Sequence, residues 1–176
     1  MRWRFSGAEA VKAHRKSRLH FIDAVTVELS DTIFEKRGVS SGGYVHYEMK
    51  DQLVSTEDAL RAQIRISLAG LAAETVEVEN KSTGAGGLGG SDLDTATQIA
   101  KRMAASWGMG RVPRFYADRQ HVDQSYQAPI EITADIDRIL LDEWEKTKAF
   151  LSEKQETLRV LTSDLLVKRR IVLRAE

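Results

Sequence analysis

Hydrophobic and polar positions change rhythm along this chain. Between Ile22 and Leu29 they alternate, with Val25, Val27 and Leu29 on one face and Ala24, Thr26 and Glu28 on the other. A period of two predicts a half-buried strand. Gly42 and Gly43 precede a second aromatic and β-branched stretch, Tyr44 to Met49, which predicts a second strand. The segment between them is longer than a tight hairpin turn, so pairing is expected and its register stays open. From Ser55 the rhythm becomes helical. Ser55-Thr56-Glu57-Asp58 has the form of a capping box, and Leu60, Ile64, Leu68 and Leu71 follow at helical spacing. Ala69, Gly70, Ala72 and Ala73 add a cluster of small residues, suited to close packing of another backbone. A second run, Leu93, Ala96, Ala100, Met103 and Trp107, opens at Ser91 and closes at Gly108, a natural C-cap. Residues 109–130 are irregular. Thr133 starts a third run through Ile136, Leu140, Trp144 and Leu151, and Leu158, Leu161 and Leu165 mark a fourth. Lys168-Arg169-Arg170 suit a helix C-terminus and are read as its solvated end. The predicted class is α+β, mostly α: a small N-terminal β-element packed on a bundle of about four helices.

Composition narrows the function classes. The 176 residues carry 26 basic and 26 acidic side chains. That balance leaves no footprint for nucleic acid or for an anionic membrane surface. Without cysteine, disulfides and thiolate metal sites are excluded. The longest apolar runs fall short of the roughly 20 residues that span a bilayer. The basic N-terminus has no apolar core of a secretory signal. A soluble, cytoplasmic chain is expected, with no membrane segment and no nucleic-acid partner.

The stretch STGAGGLGGSDLDTATQIAKRM, residues 82–103, is the most distinctive. Gly84, Gly86 and Gly89 satisfy G-x-G-x-x-G, but both contexts of a dinucleotide site fail. The preceding segment is helical rather than a strand, and MAASWGMG stands where the ribose-binding acid belongs. A P-loop fails too, since Gly89-Gly90-Ser91 lacks the lysine. Asp92 and Asp94, in the first turn of the following helix, would repel a phosphate there. A carboxylate carried at a helix start by a glycine loop can instead reach a cleft as a metal ligand. The plainer alternative is a capping role, worth about 0.5–2 kcal/mol.

ISLAGLAAE (Ile66 to Glu74), then residues 82–103, then WGMG (Trp107 to Gly110) resemble the peptidase domain of FtsH-type ATP-dependent zinc metalloproteases. Gly70-Leu71-Ala72-Ala73-Glu74, Ser91-Asp92-Leu93, Ala96-Thr97 and Gly108-Met109-Gly110 match that family's pattern in order and spacing. The resemblance covers roughly residues 22 to 170 and is specific over 66 to 110. It implies a peptidase-like domain over residues 21–176, with residues 1–20 degenerate or unrelated. It assigns Asp92 as the third zinc ligand. In the family the other two ligands are the histidines of an H-E-x-x-H helix, whose Glu is general base toward zinc-bound water.

H-E-x-x-H is absent from these residues. His14 and His20 are six apart, on different faces of any helix, His46 lies in the second predicted strand and His121 in a polar loop. Each is read as an ordinary histidine. Counting back from Val25-Thr26-Val27 places the motif near Ala8-Glu9-Ala10-Val11-Lys12. That overlay gives Glu9 the general-base position and puts Ala8 and Lys12 where the histidines belong. Alanine has no donor atom, and an ammonium repels a divalent cation. Zinc is thus the family's cofactor, not expected to bind stably here. The resemblance implies proteolysis by a truncated or catalytically degenerate domain. Its partners would be a peptide or unfolded protein, or intact FtsH-type subunits, with homo-oligomers as a further form. It also implies a cytoplasmic domain, since members of the family are membrane-anchored on that side. From another class, the alternative is a non-catalytic helical interaction module.

Overall fold

The computed structural model describes residues 22–36, 39–49, 55–87, 89–118 and 128–174. Two strands, β1 (Ile22–Lys36) and β2 (Val39–Met49), open the described chain. Four helices follow: α1 (Glu57–Glu77), α2 (Asp92–Ala105), α3 (Ile130–Glu153) and α4 (Gln155–Lys168). A last strand, β3 (Arg170–Arg174), completes a three-stranded sheet of order β2-β1-β3. The mostly helical α+β class is therefore as the sequence pattern predicts.

Both pairings of β1 are antiparallel. Val25 faces Tyr47 and Leu173, and Val27 faces Val45 and Ile171. These residues share one side of the sheet because side chains alternate along a strand. Val25 and Val27 are buried there, with Val45, Tyr47, Ile171 and Leu173 packed around them. α1 serves two packing surfaces. Ala59, Ala62, Ala72 and Ala73 join the valines of β1 and Leu151, Leu158 and Leu165 of α3 and α4. Leu60, Ile64 and Leu68, on another face of α1, meet Ala100 and Met103 of α2 and Ile132, Ile136 and Ile139 of α3. Trp144 touches both clusters and joins them. The alanines let α1 approach its neighbours closely, as the small-residue cluster predicts. Interiors packed this densely have little room to absorb a lost side chain, so truncating Ile64 costs about 2–5 kcal/mol.

Four local details differ from the sequence pattern. Thr56, not Ser55, caps α1: its Oγ1 accepts the Ala59 N–H at 3.2 Å. α2 stops at Ala105, so Trp107 falls beyond the helix and is 44% exposed rather than continuing the apolar stripe. Gly108, at φ +67°, turns the chain after that end, and the Met109 N–H returns to the Met103 carbonyl at 2.9 Å. α3 begins at Ile130, because the Pro129 carbonyl already accepts the Thr133 N–H at 2.9 Å. Finally, Lys168 is the exposed helical end that the pattern predicts, but Arg169 and Arg170 lie beyond the helix. Arg169 takes a left-handed conformation, its carbonyl accepts the Leu29 N–H at 2.8 Å, and Arg170 enters β3.

A fully buried carboxylate crosses the interface of α1 and α3. Glu143 accepts hydrogen bonds from Arg61 and Lys146, each at 2.9 Å, and from Arg65. Burial alone would push its pKa up. The Lys146 ammonium and the Arg65 and Arg61 guanidiniums outweigh burial and hold it below the usual glutamate range.

Candidate functional site

The glycine loop is tied down at both ends. On the α1 side, the Glu74 carboxylate accepts the Ser82 N–H at 2.8 Å and its hydroxyl at 2.7 Å. The Ser82 oxygen in turn accepts the Gly84 N–H at 3.1 Å, opening a single 3-10 turn over Thr83–Ala85. The Lys81 ammonium sits 5.2 Å from the centre of the Trp144 ring, within cation–π range, which links the loop's approach to α3. On the α2 side, Ser91 caps the helix through the Asp94 N–H at 3.3 Å. Asp94 reaches back to the Gly90 N–H at 2.8 Å and also accepts Gln98 Nε2 at 3.2 Å. Gly90 sits at φ +79°, a region that favours glycine, and this conformation presents its N–H to Asp94. The Gly90 N–H, then Gln98, lower the Asp94 pKa.

Asp92 is the first residue of α2 and is half-buried. Both Asp92 and Asp94 lie where the helix dipole favours a negative charge. Next to them is an open hollow of about 390 Å³, walled by Gly86, Gly87, Gly89, Ser91, Leu93, Asp94, Thr97, Gln98 and Lys101. Asp94, Gln98 and Lys101 recur at helical spacing and share one face of α2, a signal present in the sequence. The loop-anchoring role of Glu74 was also missed, because its partner Ser82 lies beyond the helix. One Gln98 oxygen is buried and accepts no hydrogen bond among the described residues.

Among the described residues, the groups that line the hollow do not by themselves make up a catalytic zinc site. Such sites take three protein ligands and keep a fourth position for water. The hollow's polar groups are a serine, a threonine, an amide, an ammonium and one carboxylate already engaged by two N–H donors. His46 stands on β2, away from this wall, and among the described residues no group of three or more His, Cys, Asp or Glu side chains gathers to hold a metal. Glu9, the general-base position of the overlay, lies outside the described residues, as do His14, His20 and His121. Among the described residues no helix is long and apolar enough to cross a membrane.

Beyond α2 the chain closes a second compact loop. The Ala105 carbonyl accepts the Tyr116 N–H at 2.7 Å and the Ala117 N–H at 3.3 Å, and the Ser106 hydroxyl donates to the Ala117 carbonyl at 2.7 Å. Asp135, buried at the start of α3, accepts the Arg111 N–H at 3.0 Å and its Nε at 2.9 Å. Burial opposes the Asp135 charge, but the Arg111 N–H and guanidinium prevail and lower its pKa. A Cβ on Gly110 would lie 2.5 Å from Asp135 Oδ2, so that contact requires glycine. The WGMG motif thus anchors a loop.

A carboxylate opening a helix behind a glycine loop, on a helical bundle with a small sheet, makes this a zinc-metallopeptidase-type domain by the resemblance given above. A model of peptidase family M41 matches residues 30–175, and the chain belongs to that family. Among similar proteins is the ATP-dependent zinc metalloprotease FtsH of Thermus thermophilus, 29% identical over 162 residues, 84% of this chain and 25% of that protein. The protein of the same name from Mesoplasma florum is 32% identical over 139 residues, 73% of this chain and 21% of its own. The ATP-dependent zinc metalloprotease FtsH 2 of Symbiobacterium thermophilum is 39% identical over 75 residues, 43% of this chain and 12% of its own. The chain spans about a quarter or less of the curated relatives it matches.

Proposed function

We propose that this chain is a catalytically degenerate member of the family that keeps the fold and binds extended peptide without cutting it. The observation that carries this reading is the lack of an H-E-x-x-H motif among the residues that accompany Asp92. Its helix start and glycine loop are well formed, yet the 176 residues contain no H-E-x-x-H. The overlay puts Ala8 and Lys12 at the histidine positions, and neither binds a divalent cation. Glu9 would then keep a carboxylate without a metal to work on. Zinc, named for the relatives, would not be held stably. The sheet order supports the peptide half of the proposal. Among the described strands β2 pairs with β1 alone, so its other edge is where a strand could be added by backbone hydrogen bonds. Pairing with intact FtsH-type subunits is the other use open to such a domain.

Two measurements test this. Metal analysis of the purified chain should find zinc well below one per molecule, and a casein-cleavage assay should show no chelator-sensitive activity. One tightly bound zinc together with chelator-sensitive cleavage would falsify the degenerate reading. For the peptide half, adding an unfolded casein fragment should slow hydrogen exchange at the β2 amides. Binding with no change in β2 would move the peptide site elsewhere.

A further inference from the structure

The hollow beside the glycine loop carries both signs of charge on one wall. Asp94 and Lys101 stand two helical turns apart on the same face of α2. Asp94 has a lowered pKa and is charged at neutral pH. It gives one acceptor position of each oxygen to Gly90 and Gln98, and a carboxylate offers about four. Lys101 is half-buried, and its ammonium makes no ion pair among the described residues. Gln98 lies between the two charges on that wall. Its Nε2 donates to Asp94, while its buried Oε1 accepts no hydrogen bond among the described residues. A buried acceptor left without a donor destabilises the site, and a ligand N–H would relieve it. Leu93 adds an apolar patch to the same wall.

A small ion of either sign is poorly matched here, because Asp94 repels anions and Lys101 repels cations. A ligand with a cation at one end and an anion at the other answers both. The helical rise sets the two positions about 10 Å apart along α2. A free amino acid, with its charges on a single residue, is too short to span them. An extended chain of three residues spans about 10 Å. Its N–H groups fall between its charged ends, where Gln98 stands. The volume of about 390 Å³ lies near the low end for small-ligand sites, which run from about 300 to 1,000 Å³. We propose that this hollow binds a short free peptide of about three residues. Its α-ammonium would sit on Asp94, its α-carboxylate on Lys101, a backbone N–H on Gln98 Oε1 and a small apolar side chain against Leu93. The site is separate from the β2 edge, which would take the interior of a longer chain, and it uses no metal.

Titration calorimetry of the full chain with the tripeptide Ala-Leu-Ala, in the presence of EDTA, tests it. Binding should appear with a dissociation constant of about 0.1–1 mM and weaken with salt, since the hollow is open to water. The same tripeptide acetylated and amidated at its ends lacks both charges and should bind at least about tenfold more weakly. Lys101→Met keeps the aliphatic stem without the charge and should lose about tenfold as well. Gln98→Leu should lose about threefold to tenfold. Circular dichroism and Tm establish that each variant folds. With Ala-Leu-Ala bound, amide exchange should slow in the glycine loop and the first turns of α2 and stay unchanged in β2. Absence of binding up to about 10 mM peptide overturns the proposal. So does equal binding of the capped peptide, or undiminished binding by a folded Lys101→Met variant. Protection confined to β2 overturns it too, and leaves the β2 reading standing.

Discussion

Two carboxylate centres face each other in character across this molecule. Glu143 is fully buried at the α1–α3 interface and answered by three cations. Asp94 stands at the wall of an open hollow, two residues after Asp92, and is occupied by its own loop and helix. The buried centre is complete, and removing any member leaves charge stranded. The Asp94 centre holds a loop in place, and no imidazole lines its hollow among the described residues. A well-satisfied buried acid therefore speaks of architecture. A carboxylate set at a helix start behind glycines is held by local contacts, and those contacts fix the loop.

The contrast can be broken from its strong side first. Glu143→Ala leaves Arg61, Arg65 and Lys146 without their shared anion, and should lower unfolding free energy by about 3–5 kcal/mol in denaturant titrations. Its pH dependence follows from the lowered pKa. Above the ordinary glutamate value of 4.5 the folded and unfolded states are both ionised, and the stabilisation is complete. As pH falls below 4.5 the unfolded state takes up the proton first, and stability is lost until pH passes the lowered folded value. Glu143→Gln should therefore flatten the acid limb of the stability curve; an unchanged limb would place the acid sensitivity in other carboxylates. Next in size is Gly110→Ala, whose methyl group displaces the Asp135 carboxylate from Arg111. Loss of that charged hydrogen bond should cost about 1.5–3 kcal/mol and speed amide exchange at Arg111. On the weak side, Ser91→Ala removes only a helix cap and should cost about 0.5–2 kcal/mol, with zinc content unaltered. The smallest effect expected is that of the metal itself. Added zinc should leave Tm where it was, because a ligand that does not bind the native state cannot stabilise it; a rise that follows zinc concentration and disappears in Asp92→Ala would join Asp92 to a working site.

The legibility of the fold follows the distance over which each element is decided. The alternation of Val25, Val27 and Leu29 and the spacing of Leu60, Ile64 and Leu68 are local, and each predicts its element. β3 was missed because RIVLR is too short to announce itself and becomes a strand only beside β1, far upstream. Trp107 looked like the next step of an apolar stripe, but the helix ends two residues before it. Glu143 reads as one charge among many in α3, since the arginines that bury it lie 82 and 78 positions away. For the site, the motif spacing picked out Asp92 and the Ser91 cap. The same spacing held nothing of the Asp135–Gly110 lock, whose partners lie on separate elements.

The placement of β3 has a consequence for how the chain is made. Of the described strands the central one precedes all four helices, while the strand that covers one of its edges follows them. Until α4 and β3 are synthesised, Val25 and Val27 lack Leu158, Leu165, Ile171 and Leu173, and half of the β1 backbone between Ala24 and Glu28 stays unpaired. Such long-range pairing is slow to form. The nascent hairpin thus has to wait in an adhesive state for its own C-terminal neighbour, which makes the last few residues of the fold its guard against premature association.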